Sequence, residues 1–326
     1  MGIIAYYTHD MLNKNQRIKP GQVFYPQSTV EFLSGKKNKF AIKKQAGEIR
    51  IISCDFAFVK GSKNDNSCFH CIRLLPESVK YDNGDGETEV QTGYRRVDCY
   101  IETMKGAEGQ KIAVRVKQLF NDFEADYCVM DMRNGGELLY DLMARVLYDE
   151  ERQCEYQPWR CFNDENVASR VNVSGALECV FSIKASEQLN SDMARSLQNL
   201  LTEGRIDFII NHTDAIEKMQ KIIPEYTDTC PVDVLMRYEK PYLETQALFN
   251  EMVMLEIDDT RLRKDIISLH EKGANTKDRY VSLAYGSYFA SLLEQELFSN
   301  KSDYEYNFDD DDDFNENSYD DEWMWD

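Results

Sequence analysis

The sequence contains no apolar stretch approaching the roughly 20 residues needed to cross a bilayer. Its first residues also lack a charged segment followed by an apolar core, so neither a membrane span nor a secretion signal is expected. Met1-Gly2 could open an acylation signal, but Tyr6 stands where that motif needs Ser or Thr. Histidine is scarce: His9, His70, His212 and His270 are the four, and they show no metal-ligand spacing. No serine or cysteine is flanked by a recognisable catalytic base. Phosphate-cradling Gly-Lys loops and dinucleotide-binding glycine motifs are absent, so the chain has no evident nucleotide-driven motor of its own. Positive charge is the remaining shortage. The 38 Lys and Arg face 58 Asp and Glu, giving a net charge of −20 and a pI near 4.7, whereas nucleic-acid binders usually carry a basic footprint.

What is present softens that objection. Twelve of the acids, with no basic residue, lie between Asp303 and Asp326, including the unbroken run Asp309 to Asp313. Most of the negative charge therefore belongs to a tail, expected to be a disordered segment over 301–326. Basic residues cluster at Lys36, Lys37, Lys39, Lys43 and Lys44, at Arg95 and Arg96, and at Arg261, Arg263 and Lys264. Nine cysteines, an odd number dispersed over 326 residues, fit reduced thiols in a soluble intracellular protein. Cys68 and Cys71 form a CxxC without a second pair at zinc-finger distance and read as ordinary strand residues.

Residues 1–47 show short apolar pieces, Pro20, Pro26 and the lysine cluster but no sustained period, and read as an extension or linker. Strands are then expected over 49–59, 68–75 and 94–104, separated by polar turn residues, as an antiparallel meander. The period changes to a helix over 109–124, through Ile112, Val116, Leu119 and Phe120. A short buried strand follows at 126–131, then the turn Arg133-Asn134-Gly135-Gly136 and a helix over 137–148. A further strand over 176–184 and a helix over 187–201 complete an order βββαβαβα. The remainder reads as helical, with one long helix over 233–255 and a last one over 278–298 for which Thr276 is a plausible N-cap.

The order places an acid in the first strand, a second at the end of the strand after the first helix, and a third at the start of the last helix: Asp55, Asp131 and Asp278. Neighbouring strands bring side chains to about 5 Å, so Asp55 and Asp131 could share a cation if their strands pair. A first-turn position favours the ionised form of Asp278. Two hard cations about 4 Å apart, held by carboxylates, can activate a water and stabilise the departing oxygen in phosphodiester cleavage. Asp65, Asp98, Glu102 and Asp141 lie near the same elements, and Asp65 and Asp141 could support the site from behind.

Three segments resemble the acidic motifs of the nuclease domain of terminase large subunits, the DNA-packaging proteins of tailed bacteriophages. They are Ile52-Ser53-Cys54-Asp55-Phe56-Ala57, then Val129-Met130-Asp131-Met132-Arg133-Asn134-Gly135-Gly136, and most specifically Thr276-Lys277-Asp278-Arg279-Tyr280-Val281-Ser282-Leu283-Ala284-Tyr285-Gly286. The resemblance spans about 49–298. It implies a ribonuclease-H-like α/β fold, a mixed sheet of three antiparallel strands then parallel strands flanked by helices, with a helical accessory region near 176–255 inside a nuclease domain over 48–300. It implies two Mg²⁺ ions, replaceable by Mn²⁺, with Asp55 bridging them and Asp131 and Asp278 each completing one. Lys277 and Arg279 could meet phosphates. Double-stranded concatemeric DNA, a small terminase subunit, a portal, and an ATPase domain or separate motor subunit are the implied partners, in the host cytoplasm and away from membranes. The family's usual preceding ATPase domain is absent, so residues 1–47 would be the remnant of an interdomain segment. A resolvase or transposase on the same sheet, and a non-catalytic packaging-assembly module whose acids are vestigial, remain alternatives.

Overall fold

The computed structural model describes residues 5–57, 66–82, 88–133, 135–257, 266–271 and 276–308, with the backbone alone at 81–82, 88–89 and 298–308. The N-terminal part forms α1 (His9–Asn13), β1 (Gln16–Ile18) and α2 (Thr29–Leu33). The expected meander follows as β2 (Ile49–Asp55), β3 (Asn66–Asp82) and β4 (Thr88–Lys105), then α3 (Gly109–Phe123) and β5 (Tyr127–Asp131). Next come α4 (Gly136–Met143), the short strands β6 (Leu147–Asp149), β7 (Cys154–Tyr156) and β8 (Trp159–Cys161), and α5 (Glu165–Ala168). The chain continues through β9 (Leu177–Ile183), α6 (Glu187–Glu203), β10 (Ile206–Ile209), α7 (His212–Ile222) and α8 (Val232–Val253). Two short strands, β11 (Leu255–Ile257) and β12 (Leu269–Glu271), precede α9 (Asp278–Phe308).

Eight strands form one mixed sheet in the order β1-β10-β4-β3-β2-β5-β9-β8. β2, β3 and β4 pair antiparallel, whereas β5 pairs parallel to β2 and the remaining strands pair parallel on either side. The expected α/β class, a mixed sheet with three antiparallel strands followed by parallel ones between helices, is what the chain forms. Strand alternation sorts the side chains into two cores. On one face Ile52, Cys54, Cys128 and Met130 pack with α3, α4 and α7. On the other, Ile51 and Val129 pack with α6 and α9. Helix α8 serves both, giving Tyr238 and Tyr242 to the first core and Leu248, Phe249 and Met252 to the second.

Three features depart from the sequence reading. Residues expected to form a linker supply β1, and Tyr7, Leu12, Phe24 and Tyr25 are fully buried. The β3–β4 pair runs from Asn66 opposite Lys105 to Asp82 opposite Thr88, with one register shift between Cys71 and Ile72, far past the stretch 68–74 that β2 covers, so its outer half is a two-stranded ribbon. Helix α9 continues through Phe308, into the stretch assigned to the acidic tail; the rest of that tail, 309–326, lies outside the described residues. Cys68 and Cys71 fall in different cores, on opposite faces of the sheet, and burial pushes both thiols up, so the pair cannot share an ion.

Candidate active site

Asp55 and Asp131 end the central parallel pair. The register sets Ile51 against Tyr127 and Cys54 against Met130, so the two aspartates follow side by side at the C-terminal edge. Alternation decides where they point. Ile51 and Val129 face α9, Ser53 is hydrogen-bonded to it, and Tyr127 meets Phe289 edge to face at 5.2 Å; Asp55 and Asp131 share that parity.

Helix α9 is seated there by its own spacing. Asp278, Ser282, Tyr285, Gly286 and Phe289 recur at three- and four-residue intervals and form one face. The Ser282 hydroxyl donates to the Ser53 carbonyl at 2.9 Å, and the Ser53 hydroxyl donates to the Ser282 carbonyl at 2.6 Å. Gly286 is what lets the helix come this close. A Cβ there would lie 2.6 Å from Ile72 Cδ1 and 2.9 Å from Ser53 Cβ. One turn N-terminal to Ser282, Asp278 comes to the strand ends, and one oxygen of its carboxylate accepts the Asn66 N–H at 3.0 Å.

The turn after Asp131 is equally constrained. Gly135 has φ 101°, a conformation that favours glycine, and a Cβ on Gly136 would lie 1.8 Å from the Asp131 carbonyl oxygen. With two glycines the chain folds back directly onto the strand end, and the Arg133 N–H donates to Asp131 Oδ1 at 3.0 Å. Tyr285 O–H donates to Asp131 Oδ2 at 3.1 Å, which ties the second strand end to α9.

The three expected carboxylates come near enough for their charges to act on one another. Asp55 is half-buried, and its carboxyl is pushed up to about 8, first by burial and then by the charges of Asp278 and Asp131. Asp278 and Tyr285 reach this point from α9, and Asp131 from β5. Among the described residues, no group of three or more His, Cys, Asp or Glu side chains is arranged as it stands to hold a metal ion. Both oxygens of Asp131 and one of Asp278 accept the local donors just named.

A fourth acid, Glu251 of α8, was not legible in the sequence, where it reads as one polar position of a long helix. It is buried against the start of α9, accepting the N–H groups of Arg279 at 3.0 Å and Tyr280 at 3.3 Å, and the Arg279 guanidinium. Its carboxylate thus caps α9 from another helix. Burial raises its pKa, with Asp278 adding to the effect against Arg279.

The supporting candidates fall elsewhere. Asp65 lies outside the described residues. Asp141 accepts a two-pronged contact from Arg170, at 2.9 and 2.8 Å, on the outer side of α4. Asp98 is buried with His70 at 2.9 Å, and Glu102 with Arg115 at 2.7 and 2.8 Å, both inside the sheet. Lys277 pairs with Glu271 at 3.3 Å. Arg279 is held inward between Glu244, at 2.7 Å, and Glu251, and its carbonyl lies 3.0 Å from His70 Nε2, so its donors are already engaged.

No protein-family model matches the chain, and no curated protein matches it. Among solved structures it is similar to the large terminase nuclease of thermophilic phage G20c with bound magnesium, at 13% identity and a TM-score of 0.43, over 88% of this chain and 98% of that one. It is similar also to the nuclease domain of the large terminase subunit of bacterial virus Sf6, at 10% identity and a TM-score of 0.40, over 86% and 97%. A third is the large terminase of bacteriophage HK97, at 9% identity and a TM-score of 0.37, over 88% of this chain and 43% of that one.

Proposed function

We propose that this chain is a divalent-metal-dependent endonuclease that cuts double-stranded DNA, acting on concatemeric viral DNA during genome packaging. The observation that supports the reading is that Asp55 and Asp131 end neighbouring parallel strands and that Asp55 is pushed up to about 8 by burial and by the charges of Asp278 and Asp131. Such crowding of acids, with Glu251 behind them, is unfavourable unless positive charge is supplied. The donor set fits Mg²⁺ or Mn²⁺, which are hard cations that take carboxylate oxygens. Asp55, Asp131 and Asp278 would be the residues that hold them. Two ions there would supply a water activated for attack and charge to stabilise the leaving oxygen.

The remaining roles belong to the chain. Asp55 has to release its proton before it can serve, and a nearby cation lowers its pKa in the needed direction. Each oxygen of Asp131 and Asp278 has two acceptor sites, so the donors from Arg133, Tyr285 and Asn66 can stay in place and orient the carboxylates. Glu251 and the paired Ser53 and Ser282 fix the start of α9, and with it Asp278.

In this reading the DNA is held chiefly through its backbone, so affinity falls with salt. A motor ATPase, a small terminase subunit and a portal are the partners expected in the host cytoplasm. The described helices include none long and apolar enough to cross a membrane. The test is plasmid cleavage by the purified chain in Mn²⁺, Mg²⁺ or EDTA, beside Asp55→Ala and Asp278→Ala proteins checked for folding. Metal-dependent linearisation lost in both variants is the expected result. Absence of cleavage, with no Mn²⁺ bound by calorimetry, would overturn the reading.

A further inference from the structure

An enzyme that gathers this much negative charge still has to admit a polyanion. The described cations around the site are mostly committed elsewhere. Lys277 is paired with Glu271, Arg279 with Glu244 and Glu251, and Lys184 with Asp164 at 2.5 Å. Lys240 faces the Thr103 carbonyl at 3.3 Å and Glu102 at 4.0 Å. Arg133 is different. Its side chain is exposed and donates from one guanidinium nitrogen to the Ala185 carbonyl, and it makes no ion pair with any carboxylate among the described residues.

Its placement is not casual. Arg133 follows Asp131 by two residues, and its backbone N–H is fixed on the Asp131 carboxylate. Asp131 pairs with Ile183 across the ends of β5 and β9, and the guanidinium reaches the Ala185 carbonyl two residues further on, so the side chain lies beside the strand end that carries Asp131. The Ala185 carbonyl, two residues past β9, takes a donor from one arm. Among the described residues the other donors of the planar fork have no partner, which leaves them for an anion approaching the carboxylates.

We propose that Arg133 is a phosphate-binding residue of this site, gripping a backbone phosphate of duplex DNA beside the bond to be cut. The inference rests on the nuclease reading above and adds the group that holds the substrate there. A guanidinium fork matches a phosphate with two parallel hydrogen bonds, whereas an ammonium offers only point charge. Because the contact is to the backbone, it adds affinity without sequence preference.

The experiment compares the wild-type chain with Arg133→Gln and Arg133→Lys. Each is titrated with a fluorescent short duplex DNA in Ca²⁺ over a series of NaCl concentrations, and separately with Mn²⁺ by calorimetry without DNA. In Arg133→Gln, affinity should fall roughly ten- to a hundredfold at low salt, as for loss of a hydrogen-bonded charge. The slope of log affinity against log salt should flatten by about 0.9, the value for one neutralised phosphate. Mn²⁺ affinity should not fall. Arg133→Lys should recover the slope but only part of the affinity. An unchanged slope in Arg133→Gln, with DNA still bound by the wild-type chain, would overturn the proposal and leave the nuclease reading standing. A parallel loss of Mn²⁺ affinity would overturn it too, assigning Arg133 to the support of Asp131. If the wild-type chain binds neither DNA nor Mn²⁺, the nuclease reading fails and takes this proposal with it.

Discussion

Replacing Gly286 by alanine tests how the site is held together. The added Cβ would lie 2.6 Å from Ile72 Cδ1, 2.9 Å from Ser53 Cβ and 3.1 Å from Ser53 Oγ. Carbon atoms in contact settle at about 3.5–4.0 Å, so α9 must lift by about an ångström or β2 and β3 must give way. Overpacking of this kind costs about 1–3 kcal/mol, while the gain in helix propensity from glycine to alanine returns about 0.8–1.0 kcal/mol. The net loss should be about 0.5–2 kcal/mol, a fall of about 1–4 °C in Tm for a chain of this size. Lifting α9 also draws Asp278 from Asp55, so Mn²⁺ affinity by calorimetry should drop in protein that is still folded. Ile72→Val removes the atom in sharpest conflict. Alone it should cost about 0.5–1.5 kcal/mol, but in the Gly286→Ala background it should cost less or restore stability, because the two changes share a contact. A Tm at or above wild type for Gly286→Ala, or strict additivity with Ile72→Val in denaturant titrations, would refute this account of the packing.

Gly136→Ala should be harsher. Its Cβ would meet the Asp131 carbonyl oxygen at 1.8 Å, a backbone atom that cannot rotate aside. A loss above the ordinary overpacking range of about 1–3 kcal/mol is expected in urea denaturation. Glu251→Ala removes the acceptor for two N–H groups of α9 and strips Arg279 of one of its two carboxylates. Loss of a cap of this kind costs about 0.5–2 kcal/mol; Mn²⁺ affinity should fall with it, and Glu251→Gln, which keeps an acceptor, should recover part of both. Lys117 is fully buried beneath the Trp159 ring at 4.6 Å, and burial lowers its pKa from 10.5 to about 7. Below 10.5 the unfolded chain takes up this proton first, so stability should fall as pH drops from 9 towards 7 and level off below. Lys117→Met should abolish that slope in thermal melts and be more stable than wild type at pH 7.

Much of the sheet's centre was legible because burial enforces alternation there. Ile51, Ser53 and Asp55 on one face and Ile52 and Cys54 on the other leave a period-2 record, and the same parity carries Asp131. The parts that were not legible lack that enforcement. β1, β8 and β10 are three or four residues long, too short for a period to emerge. The outer half of the β3–β4 ribbon has no β2 neighbour, so Pro76, Glu77 and Lys80 interrupt the apolar pattern while the pairing continues. Tyr6 and Tyr7, and the run Val23 to Tyr25, are buried by a chain that crosses the core without repeating, so no period marks them. Asp131 and Asp278 read as boundary residues in the sequence, and Asp55, read inside a longer strand, proves to end it. Glu251 sits inside a helix, and its burial is created by the arrival of α9, a tertiary event with no local trace.

The single face of α9 also bears on how such a chain can vary. Asp278, Ser282, Tyr285, Gly286 and Phe289 depend on one rotational phase, and each residue of an α-helix advances that phase by about 100°. Substitutions elsewhere around the helix leave the phase intact. Deletion of one residue between Asp278 and Ser282 would turn the acid away from the strand ends while the rest of the helix stayed packed. Descendants of this sequence can therefore accept exchanges of residue along α9 far more readily than changes in its length, and a reading-frame-preserving indel in its first turn is the simplest lesion that would leave a folded protein with a dispersed site.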